Sequence, residues 1–362
     1  MAHRMARPLA AGLVIASAVA AAACGSSSDS SSGTAASASA TSTTSGSSKS
    51  LSIALMTPAQ RNDGGLTQYS LVGVNDAVKA IPGSKLSSVV DNVTDPQKQI
   101  QTLRTLAQSN DVVIADSATL NQAVDTVASS YPDKRFILVA GLTKNAHDNV
   151  TSLNPQPGYD AALIGAIAAT RSKSKKLGMI AGVQVPASEA WGFGMKQGAG
   201  LVDKSATVAT TFTGDYNDVG KAKQAAQAMI ANGVDQIIAD LDSGSEGIYQ
   251  AAAAASGKKV EVYQVFGANC AASPTVVGAG VISWASILKD ALTSHASGAL
   301  KPGASYYTLK SKDALNFQWC DGRSTSAQET LVSDTTQKFV SGGLTPAKGV
   351  TDPNPGYEVV EK

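Results

Sequence analysis

From Leu51 onward, short runs of β-branched and aliphatic residues alternate with longer stretches whose apolar positions recur every three or four residues. Apolar runs of four to six residues bounded by turn formers read as buried strands, and the longer amphipathic stretches read as helices. The pattern predicts strands over 51–56, 86–90, 112–116 and 136–141, with helices over 66–80, 96–109 and 120–130 between them. Thr94 and Asp95 offer caps to the second helix, because a short side-chain oxygen satisfies N–H groups that a helix start leaves unpaired. Alternation at this spacing predicts a parallel sheet covered by helices on both faces.

The pattern then restarts. A strand over 150–153 runs into Asn154-Pro155-Gln156-Pro157-Gly158, where two prolines stiffen a crossing point. Beyond it come helices over 159–171, 187–202, 218–232 and 244–255, and strands over 177–182, 207–212, 236–240 and 260–265. A further strand over 276–280 and a helix over 284–297 arrive after this second set is complete, so they are expected to return to the first lobe, and the tail to the second. The expected fold class is α/β with two lobes, each a parallel sheet with helices on both faces, joined by a multi-strand hinge with a cleft between. The expected boundaries are 51–153 with about 272–300 for the first lobe, and 154–271 with about 301–362 for the second.

The region ahead of this body is patterned differently. Arg4 and Arg7 precede an apolar run from Leu9 to Ala23, too short for a stable membrane span of about 20 residues and of the length of an export signal. Residues 1–23 therefore read as a signal peptide. Ala21, Ala22 and Ala23 lead into Cys24, an arrangement that resembles a bacterial lipobox, with Ala21 where leucine is more usual. Cys24 is the expected lipidation site, which would hold the protein on the outer face of the cell membrane. The alternative is a secreted protein cut after an A-x-A site. Residues 24–50 are dominated by Ser, Thr, Ala and Gly and cannot bury enough apolar surface to offset their ordering entropy. As a flexible tether they would reach roughly 25–30 Å.

Charge and cysteines narrow the classes. Without the leader the chain carries 27 basic against 28 acidic residues. Near-neutrality offers no footprint for nucleic acid and no polybasic membrane patch. Cys270 and Cys320 form an even pair in an exported protein, so a disulfide is the expected state, against two separate buried thiols. There is no Cys-x-x-Cys or His/Cys cluster, so neither a metal nor a cofactor is expected.

Several motifs in order along the body resemble the basic membrane protein family, the substrate-binding lipoproteins that include purine nucleoside receptors of ABC transporters. They are Asp63-Gly64-Gly65-Leu66-Thr67-Gln68, Tyr131-Pro132-Asp133-Lys134-Arg135-Phe136, Tyr159 through Thr170, Trp191-Gly192-Phe193, Gly198-Ala199, Thr213-Gly214-Asp215-Tyr216-Asn217-Asp218 and Asn232-Gly233-Val234-Asp235. The resemblance implies a type I periplasmic-binding fold that closes over a small ligand and, when liganded, docks on a permease. It departs from the nucleoside receptors at Leu66 and Thr67, where they commonly carry an aromatic and an asparagine. It departs again at Phe266-Gly267-Ala268-Asn269-Cys270, which lacks their frequent acidic residue.

On this resemblance the candidate ligand-binding residues are Asp63, Gln68, Asp116, Trp191, Phe193, Asp240 and Trp284. A carboxylate accepting from ligand hydroxyls makes charge-assisted bonds, about twice as strong as neutral ones. Asp63 and Asp116 could equally serve as helix caps. Asp240 and Asp242 flank Leu241 at a strand end, and alternation favours Asp240 toward the cleft. The aromatic candidates could stack on a planar ligand or simply pack in the core.

Enzyme motifs fail. Gly192, Gly194 and Gly198 miss a phosphate fingerprint by one residue, and Ser243-Gly244-Ser245-Glu246-Gly247 lacks the leading glycine of a hydrolase elbow. The expectation is a non-enzymatic monomer that captures a nucleoside-like solute or sugar for an ABC permease; a ligand-sensing subunit of a signalling system is the alternative.

Overall fold

The structure is a computed structural model, which describes residues 49–349 together with the backbone of 360–361. The expected signal peptide, Cys24 and almost all of the tether lie outside the described residues. The described residues belong to one compact unit, Gly46–Lys362.

The first sheet is built from β1 (Ser52–Met56), β2 (Lys85–Val90), β3 (Val112–Ala115), β4 (Arg135–Val139) and β5 (Val150–Pro155), all parallel. Its helices are α1 (Leu66–Ala80), α2 (Pro96–Ser109) and the short α3 (Asn121–Val127), which has a 3-10 turn at each end. The second set is α4 (Pro157–Arg171), β6 (Lys176–Ala181), α5 (Pro186–Val202), β7 (Thr207–Phe212), α6 (Val219–Ala231), β8 (Gln236–Asp240), α7 (Ser245–Ala253), β9 (Glu261–Val265) and β10 (Val276–Ile282). The chain ends with α8 (Trp284–Ala296), β11 (Gly303–Tyr307), β12 (Leu315–Trp319), α9 (Ser326–Val340) and β13 (Val360–Glu361). Asp95 caps α2 by accepting from the Lys98 N–H, and Asp218 caps α6 by accepting from the Lys221 N–H.

The sheets read β13-β11-β5-β4-β3-β1-β2 and β12-β10-β9-β8-β6-β7. In each, the chain starts one strand in from an edge, steps out to that edge and then returns the other way across the sheet. The switch points lie between β1 and β3 and between β6 and β8, where loops at the strand carboxyl ends diverge and leave a crevice.

The late elements correct the expected lobe boundaries. The strand expected in the first lobe, β10, instead pairs in parallel with β9, and β12 pairs antiparallel on its other side. The β9–β10 connection is short and carries no helix, so it joins neighbours in one sheet rather than crossing a hinge. Only α8 returns, packing against α1, and β11, expected in the second lobe, extends the first sheet beside β5. Helix α9 packs on α4 in the second lobe. The chain therefore crosses at 155–157, 282–284 and 307–315, and the crossings are bonded to each other: Gln156 N–H donates to the Tyr307 carbonyl and Ser283 N–H to the Ala314 carbonyl. Cys270 and Cys320 are joined, tying the β9–β10 connection to the end of β12.

The glycines that mimic a phosphate motif are packing residues. A Cβ on Gly194 or Gly198 of α5 would collide with the backbone of α4 at Gly158 or Ala162, and one on Gly165 of α4 would collide with Met195. Small residues let these two helices meet backbone to backbone beneath the second sheet.

Candidate functional site

The start of α1 gathers carboxylates from both lobes. Asp63 lies three residues ahead of Leu66, the first residue of the helix, and accepts from the Gly65 N–H at 2.9 Å, the Thr67 N–H at 3.2 Å and the Gln68 N–H at 3.1 Å. These are among the donors a helix start leaves unpaired, and the carboxylate also meets the positive end of the helix dipole. Asp63 thus acts as the cap of α1. The Leu66 N–H, skipped by Asp63, lies toward the carboxylate of Asp242 and favours its charged form; Asp242 comes from the loop after β8 in the other lobe. A Cβ on Gly65 would fall inside the Asp242 carboxylate, so the absence of a side chain there is what lets the lobes meet.

Asp116 follows β3. It is 1% exposed, accepts from Ser70 Oγ at 2.7 Å through Oδ1, and leaves Oδ2 without a hydrogen-bond partner. Burial pushes its carboxyl up to about 7 against the Ser70 and Thr67 hydroxyls, with the charge of Asp63 adding to the rise. Across the cleft, Asp240 ends β8, is 5% exposed, and also leaves Oδ2 unpartnered. Burial raises it to about 6 against the neighbouring Ser188 hydroxyl. Asp242 is raised to about 8, first by burial and then by the charges of Asp63, Asp240 and Asp116. Four carboxylates, two from each lobe, therefore share one electrostatic neighbourhood. Among the described residues none of the four makes an ion pair.

Aromatic and strained residues border them. Tyr69 of α1 lies against Gly267 and faces the Phe266 ring at a centroid distance of 6.5 Å. Tyr216 packs on Gly182, with its hydroxyl 3.2 Å from Ser188 Oγ, and burial together with Asp240 raises it to about 12. Phe266 and Ala140, each just past a strand end, hold left-handed φ values of 69° and 53°. A non-glycine residue in that conformation costs of order 1 kcal/mol and persists where the surroundings impose it. Beyond Ala140, Gly141 makes room for Asn121, whose Oδ1 is buried without a partner.

The candidates separate. Asp63, Asp116 and Asp240 meet in this cleft; Asp242 joins them, while Leu241 between the two aspartates points into the core. Gln68 is exposed and contributes its N–H to the cap. Trp191 is 2% exposed, its ring packed at Gly280 of β10 beside Asp160, and Trp284 is 1% exposed in the same core cluster. Phe193 is 46% exposed and lies against Gly349. For Trp191 and Trp284 the packing explanation holds, because helical spacing alone cannot say which side a buried ring faces. Reading the sequence did not single out Ser70, Ser188 or Tyr69, and named Thr67 and Tyr216 within motifs without making them ligand-binding candidates. Ser70 shares a helix face with Thr67 at a spacing of three, which was a visible signal; the roles of Ser188 and Tyr216 were not visible, since they meet Asp240 only through tertiary packing.

The family model for PnrA-like ABC transporter substrate-binding proteins matches residues 50–339. The chain belongs to that family. This PnrA-like protein is 28% identical over 148 residues to the ABC transporter nucleoside-binding protein BmpA of Lactococcus lactis, a stretch that covers 41% of this chain and 42% of that protein. The match thus spans less than half the length of that relative. An ABC transporter solute-binding protein from Aeropyrum pernix shares the fold with a TM-score of 0.72, over 82% of this chain and 94% of its own, at 18% identity. A transcriptional activator of the comK gene from Bacillus halodurans shares it with a TM-score of 0.69, over 82% and 100%, at 17% identity. The PnrA-like chain has the two-lobed type I periplasmic-binding fold. Among its described residues, no helix is long and apolar enough to cross a membrane, and no group of three His, Cys, Asp or Glu residues is arranged to hold a metal ion.

Proposed function

We propose that this chain is the extracytoplasmic receptor of an ABC importer, capturing a nucleoside-like solute between its lobes and presenting the closed form to a permease. The observation that carries the reading is the pairing of two topological switch points, one with Asp63 and Asp116, the other with Asp240 and Asp242, each lobe leaving a buried carboxylate oxygen unfilled. Family membership and the nucleoside-binding name of the Lactococcus lactis relative support the solute class. Ligand bridging the lobes shifts an open–closed equilibrium by the difference in its affinity for the two states. In this reading the protein is a binding protein rather than an enzyme, works as a monomer, and is held at the outer face of the cell membrane through lipid on Cys24.

Thermal unfolding in the presence of nucleosides, free bases, pentoses and sugar alcohols tests the reading. A nucleoside at 100 times its Kd stabilises the protein by about 2.7 kcal/mol, which moves the melting temperature visibly. A shift with a pentose and none with any nucleoside overturns the nucleoside assignment and favours a sugar. The burial of Trp191 and Trp284 in the core is what keeps the sugar reading open, since it leaves base stacking to Tyr69 and Phe266.

A further inference from the structure

The polar atoms left bare in the cleft have one chemical character. Asp116 Oδ2, Asp240 Oδ2 and Asn121 Oδ1 are buried acceptors without a donor. Asp116 and Asp240 are 1% and 5% exposed, so bulk water does not compensate them. The groups acting on Asp116, Asp240 and Asp242 are hydroxyls, one backbone N–H and other carboxylates, with no lysine or arginine among the chief ones. Glu261 in the second lobe is buried differently: it is met by Arg171 and Lys259. A site that supplies acceptors and negative charge, and withholds donors and positive charge, is complementary to a ligand that brings them.

We propose that the solute of this cleft is a donor-rich organic cation, carrying a protonated nitrogen that lies between the carboxylates of Asp116 and Asp240. The proposal rests on the reading of this cleft as a solute site and narrows its ligand. Two features favour an organic cation over a metal ion. The carboxylates are not gathered into a metal-holding group. Aromatic rings also border the site, with Tyr69 and Phe266 on one flank and Tyr216 beside Asp240 on the other; ring faces attract cations that keep their own N–H or C–H shell. A neutral polyol would donate hydrogen bonds but bring no charge that favours the ionised form of these buried acids.

Matched pairs of probes that differ only in an amine test this: glucosamine against glucose, and 5′-amino-5′-deoxyadenosine against adenosine, by titration calorimetry on the purified protein at pH 7. The expected result is that, in at least one pair, the amine binds about tenfold tighter or more than its neutral partner. That preference should shrink to near unity in Asp240→Asn, with Asp116→Asn as the second variant should the first fail to fold. Neutral partners binding as tightly as their amines in both pairs overturn the cation inference, and adenosine binding in that case leaves the nucleoside reading standing. Glucosamine binding with neither adenosine compound doing so sinks the nucleoside reading and supports the inference. Failure of both amines to bind, or a preference for the amine that survives both Asp→Asn variants, overturns the inference.

Discussion

Two regions of the molecule bury carboxylates, and they treat them in opposite ways. At the base of the second lobe, Glu261 receives Arg171 at 2.6 and 2.7 Å, Lys259 at 2.6 Å and Gln236 at 3.2 Å. Arg171 goes on to the Arg323 carbonyl and Gln328, so the cluster joins α4, β9 and the start of α9. Burial alone would raise Glu261, yet these donors bring it down to about 2. In the cleft, burial of the same kind meets only hydroxyls and other acids, and Asp116, Asp240 and Asp242 rise to about 7, 6 and 8. A buried charge with its partners built in fixes a structure; a buried charge without them is a demand that something else must meet. The first arrangement suits a junction that must stay rigid, the second a surface that waits for a ligand.

Removing one partner from the rigid cluster should have the largest effect. Arg171→Met takes two hydrogen bonds from the buried Glu261 and two more from the Arg323 carbonyl and Gln328, and is expected to cost about 3–5 kcal/mol, read as a lower denaturation midpoint at pH 7. A loss under about 1 kcal/mol would erase the contrast between the two regions.

In the cleft the same kind of change should spare stability and remove binding. Asp116→Asn or Asp240→Asn is expected to leave the unfolding midpoint at pH 8 unchanged or higher, because it deletes a carboxylate that folding disfavours. Affinity for the solute should fall about tenfold to a hundredfold, the scale of a lost hydrogen bond to a charged group. Large destabilisation without weakened binding would mean that these groups belong to the scaffold.

A third substitution probes the contact between lobes. Gly65→Val sets a branched side chain where Asp242 now lies, so the lobes cannot close as they do here. Affinity should drop about tenfold, and small-angle scattering should show no ligand-induced compaction, while unfolding stays within about 1 kcal/mol of the parent.

The pH dependence is spread over several pH units and has the clearest sign. The carboxyls of Asp116, Asp240 and Asp242 titrate higher in the folded than in the unfolded chain, where an aspartate sits near 3.9. The folded state therefore binds more protons between about pH 4 and 8, and these groups lower stability progressively as pH rises through that window. Glu261 acts oppositely: depressed to about 2, it contributes stability above its unfolded value near 4.3 and loses it as pH falls toward 2. Unfolding free energy should peak in mildly acid solution, and the decline on the alkaline side should flatten in Asp240→Asn. An equal slope in parent and variant would show that the cleft carboxyl does not carry the effect.

Much of this was legible in the chain. Strand and helix patterns marked β1, α1, α2, β7 and β8 almost to the residue, because each element's period or cap is a local property. Asp63, Asp116 and Asp240 were visible as acids at strand ends. Less legible were matters decided by contact. The strand β10 could have joined either sheet, since its run of Val, Gly and Ala carries no address. Trp191 and Phe193 stand two apart on one helix, yet one is sealed against Gly280 and the other lies at the surface.

What the sequence determined by itself is the α/β alternation, its restart at residue 150, the family, and acidic residues at the ends of β1, β3 and β8. These follow from periodicity and local capping, which need no knowledge of distant residues. Only the tertiary structure decided that the acids of two lobes meet at one helix start, that Gly65 leaves room for Asp242, and that among the described residues no cation pairs with them. Those facts depend on pairs some 50 to 180 positions apart along the chain, and the energy of a buried charge is set by what surrounds it in space.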